Sequence, residues 1–389
     1  VRVLVVSQEF PPLGVGGVAA HVDGLCRAMA RAGHEVVVVT YGSSTVSDDE
    51  VVAGVRVLRA DTSFPWLPGD ESVATQASAN HQLVQLLARI GDGPDGHAWA
   101  PDVVHAHDWT VAWAAATIAT LCAVPLVATV HGTERGRHGG HLPPGLPAAI
   151  NSVEWWLTYS ATRVICCSRF MVREVVSGFE LPFDKVHLVP NGIEVDVWAP
   201  TAPLADSERQ PVVFTWGRVQ YEKGFQVLAR AMDLLRTRLP GTTCVIAGRG
   251  SYLPELQSQI DIEGATDLVS LAGYMPDDEL REAIHRATCV VIPSLYEPFG
   301  IVALESLAAG AALIVARTGG LAEVIEGTGA GLLFEPGNAS DLADRIEQVF
   351  DDPELARSMR ARAASLLGER YSWNAIATAT VEVYRDARR

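Results

Sequence analysis

A chain of 389 residues is longer than one ordinary hydrophobic core and suits two. With 48% hydrophobic and 20% charged residues it has the make-up of a folded enzyme, not of a disordered or fibrous chain. The net charge of −16 is spread over both halves, residues 1–190 carrying 12 Lys or Arg against 18 Asp or Glu, which excludes nucleic acid or an anionic membrane as the default partner.

Short β-branched runs alternate with helical patterns, the signature of parallel α/β layers. The predicted strands of the first half are 2–7, 35–40, 55–59, 103–107, 126–131, 164–167 and 186–189. A helix opens near Gly17 with Val18, Val22, Leu25 and Met29 on one face, and Gly33 supplies its stop. Residues 111–130 carry no charge and are long enough for a bilayer. Pro125 interrupts them, so the expectation is a buried helix from about Thr110, a turn, and a buried strand ending at Val130. The first residues already read as strand, so no leader is expected, and the chain is expected to be soluble and cytoplasmic.

The pattern lapses over 194–210, read as an interdomain linker. It resumes with predicted strands 212–216, 244–247, 269–271, 289–292, 312–315 and 331–334, followed by a helical tail from Asn338. The expected organisation is therefore a Rossmann-like domain over 1–193, the linker, a second Rossmann-like domain over 211–370, and a terminal helix over 371–389. Such a pair places its ligand cleft between the domains, at the carboxyl ends of the strands. The six cysteines lack C-x-x-C spacing and sit mostly in apolar runs; Cys166 and Cys167 are read as facing opposite sides of one strand. All six are expected as buried free thiols.

Three features carry chemistry. Gly14-Val-Gly16-Gly17 follows the first strand and opens a helix, where backbone amides can approach a phosphate, although a tight turn alone needs the same glycines. It lacks G-x-G-x-x-G spacing, and the second strand ends without the acid that holds a nicotinamide-cofactor ribose, so a dinucleotide oxidoreductase is disfavoured. After strand 212–216, Gly217-Arg218 and Lys223-Gly224 put two cations at a strand's carboxyl end, suited to a leaving diphosphate or simply solvated. Glu297-Pro-Phe-Gly300-Ile-Val-Ala-Leu-Glu305 is read as a helix beginning at Pro298, with Glu297 at its mouth beside the amides of Phe299, Gly300 and Ile301. Eight residues at about 1.5 Å each put Glu305 about 12 Å further on, near the span from a hexose to a nucleotide ribose. A dipole partner and an ordinary helical Glu would also produce this spacing.

The last stretch resembles the E-x7-E motif of retaining glycosyltransferases of the GT-B fold, family 4 in particular. The glycine loop, Val130-His131-Gly132, Val189-Pro-Asn191-Gly192-Ile193, Gly217-Arg218 with Lys223-Gly224, Ala247-Gly248 and Gly319-Gly320 follow in the family's order. The resemblance spans essentially the whole chain. It implies an acceptor-side first domain, a sugar-nucleotide-binding second domain and a final helix crossing back to the first. It further implies that Arg218 and Lys223 neutralise the diphosphate, Glu305 holds the ribose and Glu297 the sugar hydroxyls. The amides of Phe299, Gly300 and Ile301 would contact sugar or phosphate, Gly16 and Gly17 would approach the diphosphate, and His131 would sit beside the transferred sugar. His131, Arg218, Lys223 and Glu297 are thus the implied catalytic set. Transfer would retain configuration through an oxocarbenium-like state, with the leaving phosphate accepting the acceptor's proton.

No metal or other cofactor is expected: there is no D-x-D at a strand end, and His131, His138 and His141 sit in a Gly-rich loop read as an acceptor loop. His105 and His107, on one strand face, are read as packing or hydrogen-bonding groups. The runs 105–109, 131–138 and 154–157 resemble the family's glycogen-synthase-like branch, implying UDP-glucose or ADP-glucose as donor and an α-1,4-glucan or related oligosaccharide as acceptor. Asp108, Glu134, Arg137 and His138 are the implied acceptor-side residues. A hexosyl or mannosyl transferase for a small metabolite or lipid-linked acceptor is the alternative. A catalytically silent sugar-nucleotide-binding protein and a sugar-nucleotide epimerase stand further off.

Overall fold

A computed structural model describes every residue except 15, 63–72, 92–98, 201–203 and 206–207. The chain divides into two compact units, Val1–Gly192 with Trp373–Arg389, and Ile193–Ser372.

Unit 1 is built on strands β1 (Arg2–Val6), β2 (Glu35–Gly42), β3 (Asp49–Val52), β4 (Val55–Asp61), β5 (Val103–His107), β6 (Leu126–Val130), β7 (Arg163–Cys166) and β8 (Val186–Leu188). They form one sheet in the order β3-β4-β2-β1-β5-β6-β7-β8. All pairings are parallel except β3 with β4. The antiparallel edge strand β3 was not expected. Its residues are exposed or half-buried, so no apolar pattern marks it. It is returned by a tight turn at Ala53-Gly54, both with positive φ. The central strands β1, β5 and β6 are buried almost throughout, as parallel strands covered on both faces must be.

Around the sheet lie α1 (Gly17–Arg31), α2 (Val73–Gln85), α3 (Ala112–Cys122), α4 (Glu134–Arg137), α5 (Leu146–Ser160) and α6 (Arg169–Phe179). Val22, Leu25 and Met29 of α1 are buried, and Val18 is half-buried. The uncharged run 111–130 is α3 followed by β6. No described helix is long and apolar enough to cross a membrane.

Unit 2 follows with β9 (Gln210–Trp216), β10 (Thr243–Ala247), β11 (Val269–Gly273), β12 (Ala287–Ile292), β13 (Leu313–Ala316) and β14 (Gly331–Phe334), all parallel in the order β11-β10-β9-β12-β13-β14. Its helices are α7 (Val195–Trp198), α8 (Phe225–Leu235), α9 (Leu253–Ile262), α10 (Asp277–Arg286), α11 (Ile301–Ala308), α12 (Gly319–Ile325), α13 (Ala339–Asp351) and α14 (Pro353–Arg370). The stretch 194–210 is more than a linker: its described part holds α7 and the first residue of β9, while 201–203 and 206–207 lie outside the described residues.

The last helix, α15 (Trp373–Ala387), belongs to unit 1 and buries Trp373, Ile376, Val381 and Tyr384 in its core. Glycine at 24 and 192 makes room for the indole; a Cβ at Gly24 would stand 2.2 Å from it. The described cysteines are all free, five of them buried and Cys122 half-buried. Cys167 lies just past the end of β7, so it and Cys166 do not alternate on one strand; both are buried because the segment stays inside the fold.

In each sheet the strand order reverses once. In unit 1 this happens between β1 and β5, and in unit 2 between β9 and β12. Loops leaving the carboxyl ends of those strands diverge to opposite sides, and the crevice they leave is where open α/β sheets bind ligands.

Candidate active site

The switch point of unit 2 explains how residues 74 apart in sequence meet. The loop after β9 carries Arg218 and Lys223, and the loop after β12 carries Glu297. Lys223 Nζ donates to Glu297 Oε2 at 2.7 Å, and Ser294 Oγ donates to the same oxygen at 3.2 Å. Both partners are largely sequestered, with side chains 19% and 11% exposed, so the pair is tighter than a surface salt bridge. Main chain ties the loops together: the amides of Leu295 and Tyr296 donate to the Glu222 carbonyl at 2.7 and 3.3 Å. Gly224 is obligatory here. Its φ is +71°, and a Cβ would stand 1.9 Å from the Pro293 carbonyl oxygen. Arg218 is exposed beside this pair in sequence, following Gly217 (φ +146°).

The Glu297–Glu305 segment differs from the expectation. Pro298 does not open a helix; α11 starts at Ile301, with Gly300 as its N-cap at φ +95°. A left-handed residue cannot continue an α-helix, so 297–300 form a turn, and the 12 Å helical spacing does not apply. Phe299 therefore lies outside the helix, while Gly300 and Ile301 stand at its mouth. The turn is held by Gly320, whose amide donates to the Glu297 carbonyl at 3.0 Å and whose missing Cβ would come within 2.4 Å of Phe299 Cα. Phe299 is buried and packs edge-on to Tyr371, ring centroids 6.0 Å apart. Glu305 is half-buried in α11, and burial, with the Asp277 charge adding, pushes its carboxyl up to about 8.

The switch point of unit 1 is of another kind. Gly16 caps α1 in extended conformation and Gly17 opens the helix; Val15 lies outside the described residues. Asp108 follows β5 with a positive φ of 61°, and its Oδ1 accepts the His131 backbone N–H at 2.7 Å across the adjacent strand end. Burial raises the Asp108 carboxyl to about 6 against the opposing pull of that amide and of Arg137.

His131 Nε2 and His107 Nδ1 face each other at 3.0 Å. His21, from α1, packs against both, with ring centroids 4.8 Å from His131 and 5.4 Å from His107. His105 lies deeper, bonded at Nδ1 to Tyr384 Oη and at Nε2 to Thr129 Oγ1, each 2.7 Å. Burial holds all four imidazoles below their ordinary pKa, His131 at about 4, with mutual repulsion of the protonated forms adding for His21, His105 and His107. They are uncharged at neutral pH.

The remaining acceptor-side residues form their own cluster. Glu134 takes Arg137 Nη1 and His138 Nε2, both at 3.2 Å. Beneath them Glu154, 3% exposed, accepts the Glu134 amide on both oxygens at 2.9 and 3.2 Å, and burial raises its carboxyl to about 8. Thr133 caps α4 by accepting from Gly136 N and donates to Glu174. His141 is exposed and does not join His131.

Sequence reading singled out Lys223, Glu297, Asp108 and His131 one by one; the structure pairs Lys223 with Glu297 and Asp108 with His131, and it adds His21, Ser294 and Glu154, to which the sequence gave no role. No spacing marks His21: it belongs to the buried face of an ordinary amphipathic helix. Of the tryptophans at 155 and 156, the first is exposed and stacked on Tyr159, and the second is half-buried against Trp113, so neither is core.

Comparison with known proteins finds relatives along the whole chain. The family model for Glycosyltransferase Family 4 matches residues 15–236, and that for glycosyl transferases group 1 matches 200–366. The chain is 36% identical to a glycogen synthase of Mycobacterium tuberculosis H37Rv, covering 100% of this chain and 95% of that one. It is 32% identical to a D-inositol 3-phosphate glycosyltransferase of Arthrobacter sp. FB24, covering 98% and 92%. Sucrose-phosphate synthase from Thermosynechococcus elongatus shares the fold, with a TM-score of 0.82 at 21% identity over 99% and 98% of the two chains.

Proposed function

The chain belongs to glycosyltransferase family 4, and from that premise we propose that it is a retaining glucosyltransferase extending an α-1,4-glucan from UDP-glucose or ADP-glucose. That it is a hexosyltransferase of GT-B fold is the established part. The observation that carries the donor chemistry is the Lys223–Glu297 pair at the switch point of unit 2. The glucan acceptor rests on the full-length likeness to a glycogen synthase.

In this reading Lys223 and Arg218 face the nucleotide's diphosphate. As the bond from anomeric carbon to phosphate oxygen breaks, negative charge grows on that oxygen, and the two cations stabilise it. The acceptor hydroxyl approaches on the same face; its oxygen bonds to the anomeric carbon and its proton passes to the leaving phosphate. Glu297, which holds Lys223 in the free protein, turns to the sugar hydroxyls, Glu305 to the ribose diol. The amides around Phe299, Gly300 and Ile301 take sugar or phosphate oxygens, as those at Gly16 and Gly17 take the diphosphate. His131 offers an uncharged hydrogen bond to the sugar. Asp108, Glu134, Arg137 and His138 face the acceptor. No step calls for a metal ion or another cofactor.

The likeness to a D-inositol 3-phosphate glycosyltransferase supports a second reading, a small phosphorylated acceptor, for which Arg137 and His138 have suitable chemistry. Incubation with UDP-glucose, ADP-glucose or GDP-mannose, each with maltooligosaccharide or inositol 3-phosphate, separates the two by product. Glucan growth from a glucose nucleotide is expected. Transfer only to inositol 3-phosphate selects the second reading, and no nucleotide release with any pair contradicts both.

A further inference from the structure

His21, His107 and His131 come from three separate elements, α1, the end of β5 and the residue after β6, yet one nitrogen of each ring lies within 4.8 Å of the others. Two of their nitrogens, His21 Nδ1 and His107 Nε2, are buried without a hydrogen-bond partner, on side chains 3% and 1% exposed. The His107 ring faces His131 through Nδ1, so its Nε2 is an outer nitrogen, and the case for a shared ligand rests on the spacing of the rings.

That spacing fits a metal ion. With metal–nitrogen bonds of about 2.0–2.1 Å and tetrahedral angles, three imidazole centroids stand about 5.2 Å apart and their ligating nitrogens about 3.4 Å apart. The observed centroid separations are 4.8, 5.3 and 5.4 Å, and His107 Nδ1 and His131 Nε2 are 3.0 Å apart. We propose that His21, His107 and His131 form a binding site for one divalent transition metal of the zinc and cobalt class.

An all-imidazole donor set selects such ions over magnesium or calcium, which want oxygen. The proton shared between His107 and His131 moves to the outer nitrogen of the ring that carried it. Both inner nitrogens then offer lone pairs, and no net proton or electron changes hands. His131 is half-buried, so the ion enters from its side, and the fourth position is left to water. His107 Nε2 has no acceptor behind it, which keeps the affinity below that of a structural zinc site. An ion here captures the imidazole assigned to the transferred sugar. The site is therefore inhibitory, a consequence that rests on the proposed function, whereas binding itself does not.

The test is a titration of chelator-treated protein with Co(II), followed by its visible absorption, then displacement by Zn(II) against a fluorescent indicator. One ion per chain with the strong bands of a tetrahedral site is expected. Affinity should weaken by about tenfold or more in His21→Gln and His107→Asn and stay unchanged in a His138→Gln/His141→Gln double variant. Zinc should then inhibit transfer over the range in which it binds. Absence of those bands in the unaltered protein at millimolar Co(II) overturns the site without reference to any variant, and so does loss of binding in the His138/His141 variant. Failure of transfer with every donor would overturn the proposed function and leave the metal titration standing.

Discussion

At the switch point of unit 2 the converging groups are charged and matched, Lys223 against Glu297 at 2.7 Å; at that of unit 1 they are imidazoles kept neutral by burial, with His131 outermost. Both sheets bring loops together by the same reversal of strand order, so topology accounts for the convergence and not for the chemistry. On the proposed function, the chemistry follows from what each loop faces. A diphosphate leaving group needs cations already in place, and the Glu297 carboxylate holds Lys223 in position before the donor arrives. A sugar passing through an oxocarbenium-like state needs hydrogen bonds without added positive charge, and burial of His131 among other imidazoles ensures it.

Removing the charge from unit 2 should have the largest effect. Lys223→Ala is expected to lower kcat/KM by about 10²–10³-fold, the usual loss for one preorganised electrostatic group, measured with the preferred donor. Gly224→Ala attacks the geometry instead: a positive φ and a Cβ 1.9 Å from the Pro293 carbonyl should cost about 2–3 kcal/mol of unfolding free energy in denaturant titration. The neutral cluster of unit 1 should show itself in acid. His21, His105 and His107 have pKa values depressed in the fold, so the unfolded chain binds more protons, and stability is whole above pH 6.5 and falls below it. The slope is about 1.4 kcal/mol per pH unit for each histidine that titrates, and His107→Asn should flatten it.

Glu154 has the opposite sign. Its carboxyl is raised to about 8, so its contribution is complete below pH 4.5 and is lost as pH rises through 8. Glu154→Gln, which can still accept the Glu134 amide, should gain on the order of 1 kcal/mol over the unaltered protein at pH 8 and little at pH 5. A Glu154→Gln profile parallel to the unaltered one would mean that this carboxyl is ionised in the fold.

Much of the fold was legible because parallel strands buried on both faces print continuous β-branched runs. Every such strand was found, and the terminal helix was anticipated. The edge strand β3 escaped because its residues are exposed or half-buried, and the start of α11 was misplaced because Pro298 fits a helix opening while Gly300 takes a left-handed conformation that sequence does not display. Within the site, residues such as Lys223 and Glu297 were singled out by their family order, since spacing alone fitted solvated cations and a helix-dipole partner as well. The groups that hold them were not: Ser294 contacts Glu297 from a loop without a motif, and His21 is a polar residue on an otherwise apolar helix face. Supporting residues act through tertiary contact, and one sequence carries no signal for that.

The most direct measurement is donor binding to the unaltered protein, Lys223→Ala and Glu297→Gln, comparing each nucleoside diphosphate with its glucose conjugate. The expected result is that Lys223→Ala weakens both ligands about equally, while Glu297→Gln keeps the diphosphate and loses the preference for the sugar-bearing form. Unchanged diphosphate affinity in Lys223→Ala, or an unchanged sugar preference in Glu297→Gln, would contradict the assignment of this pair to the donor.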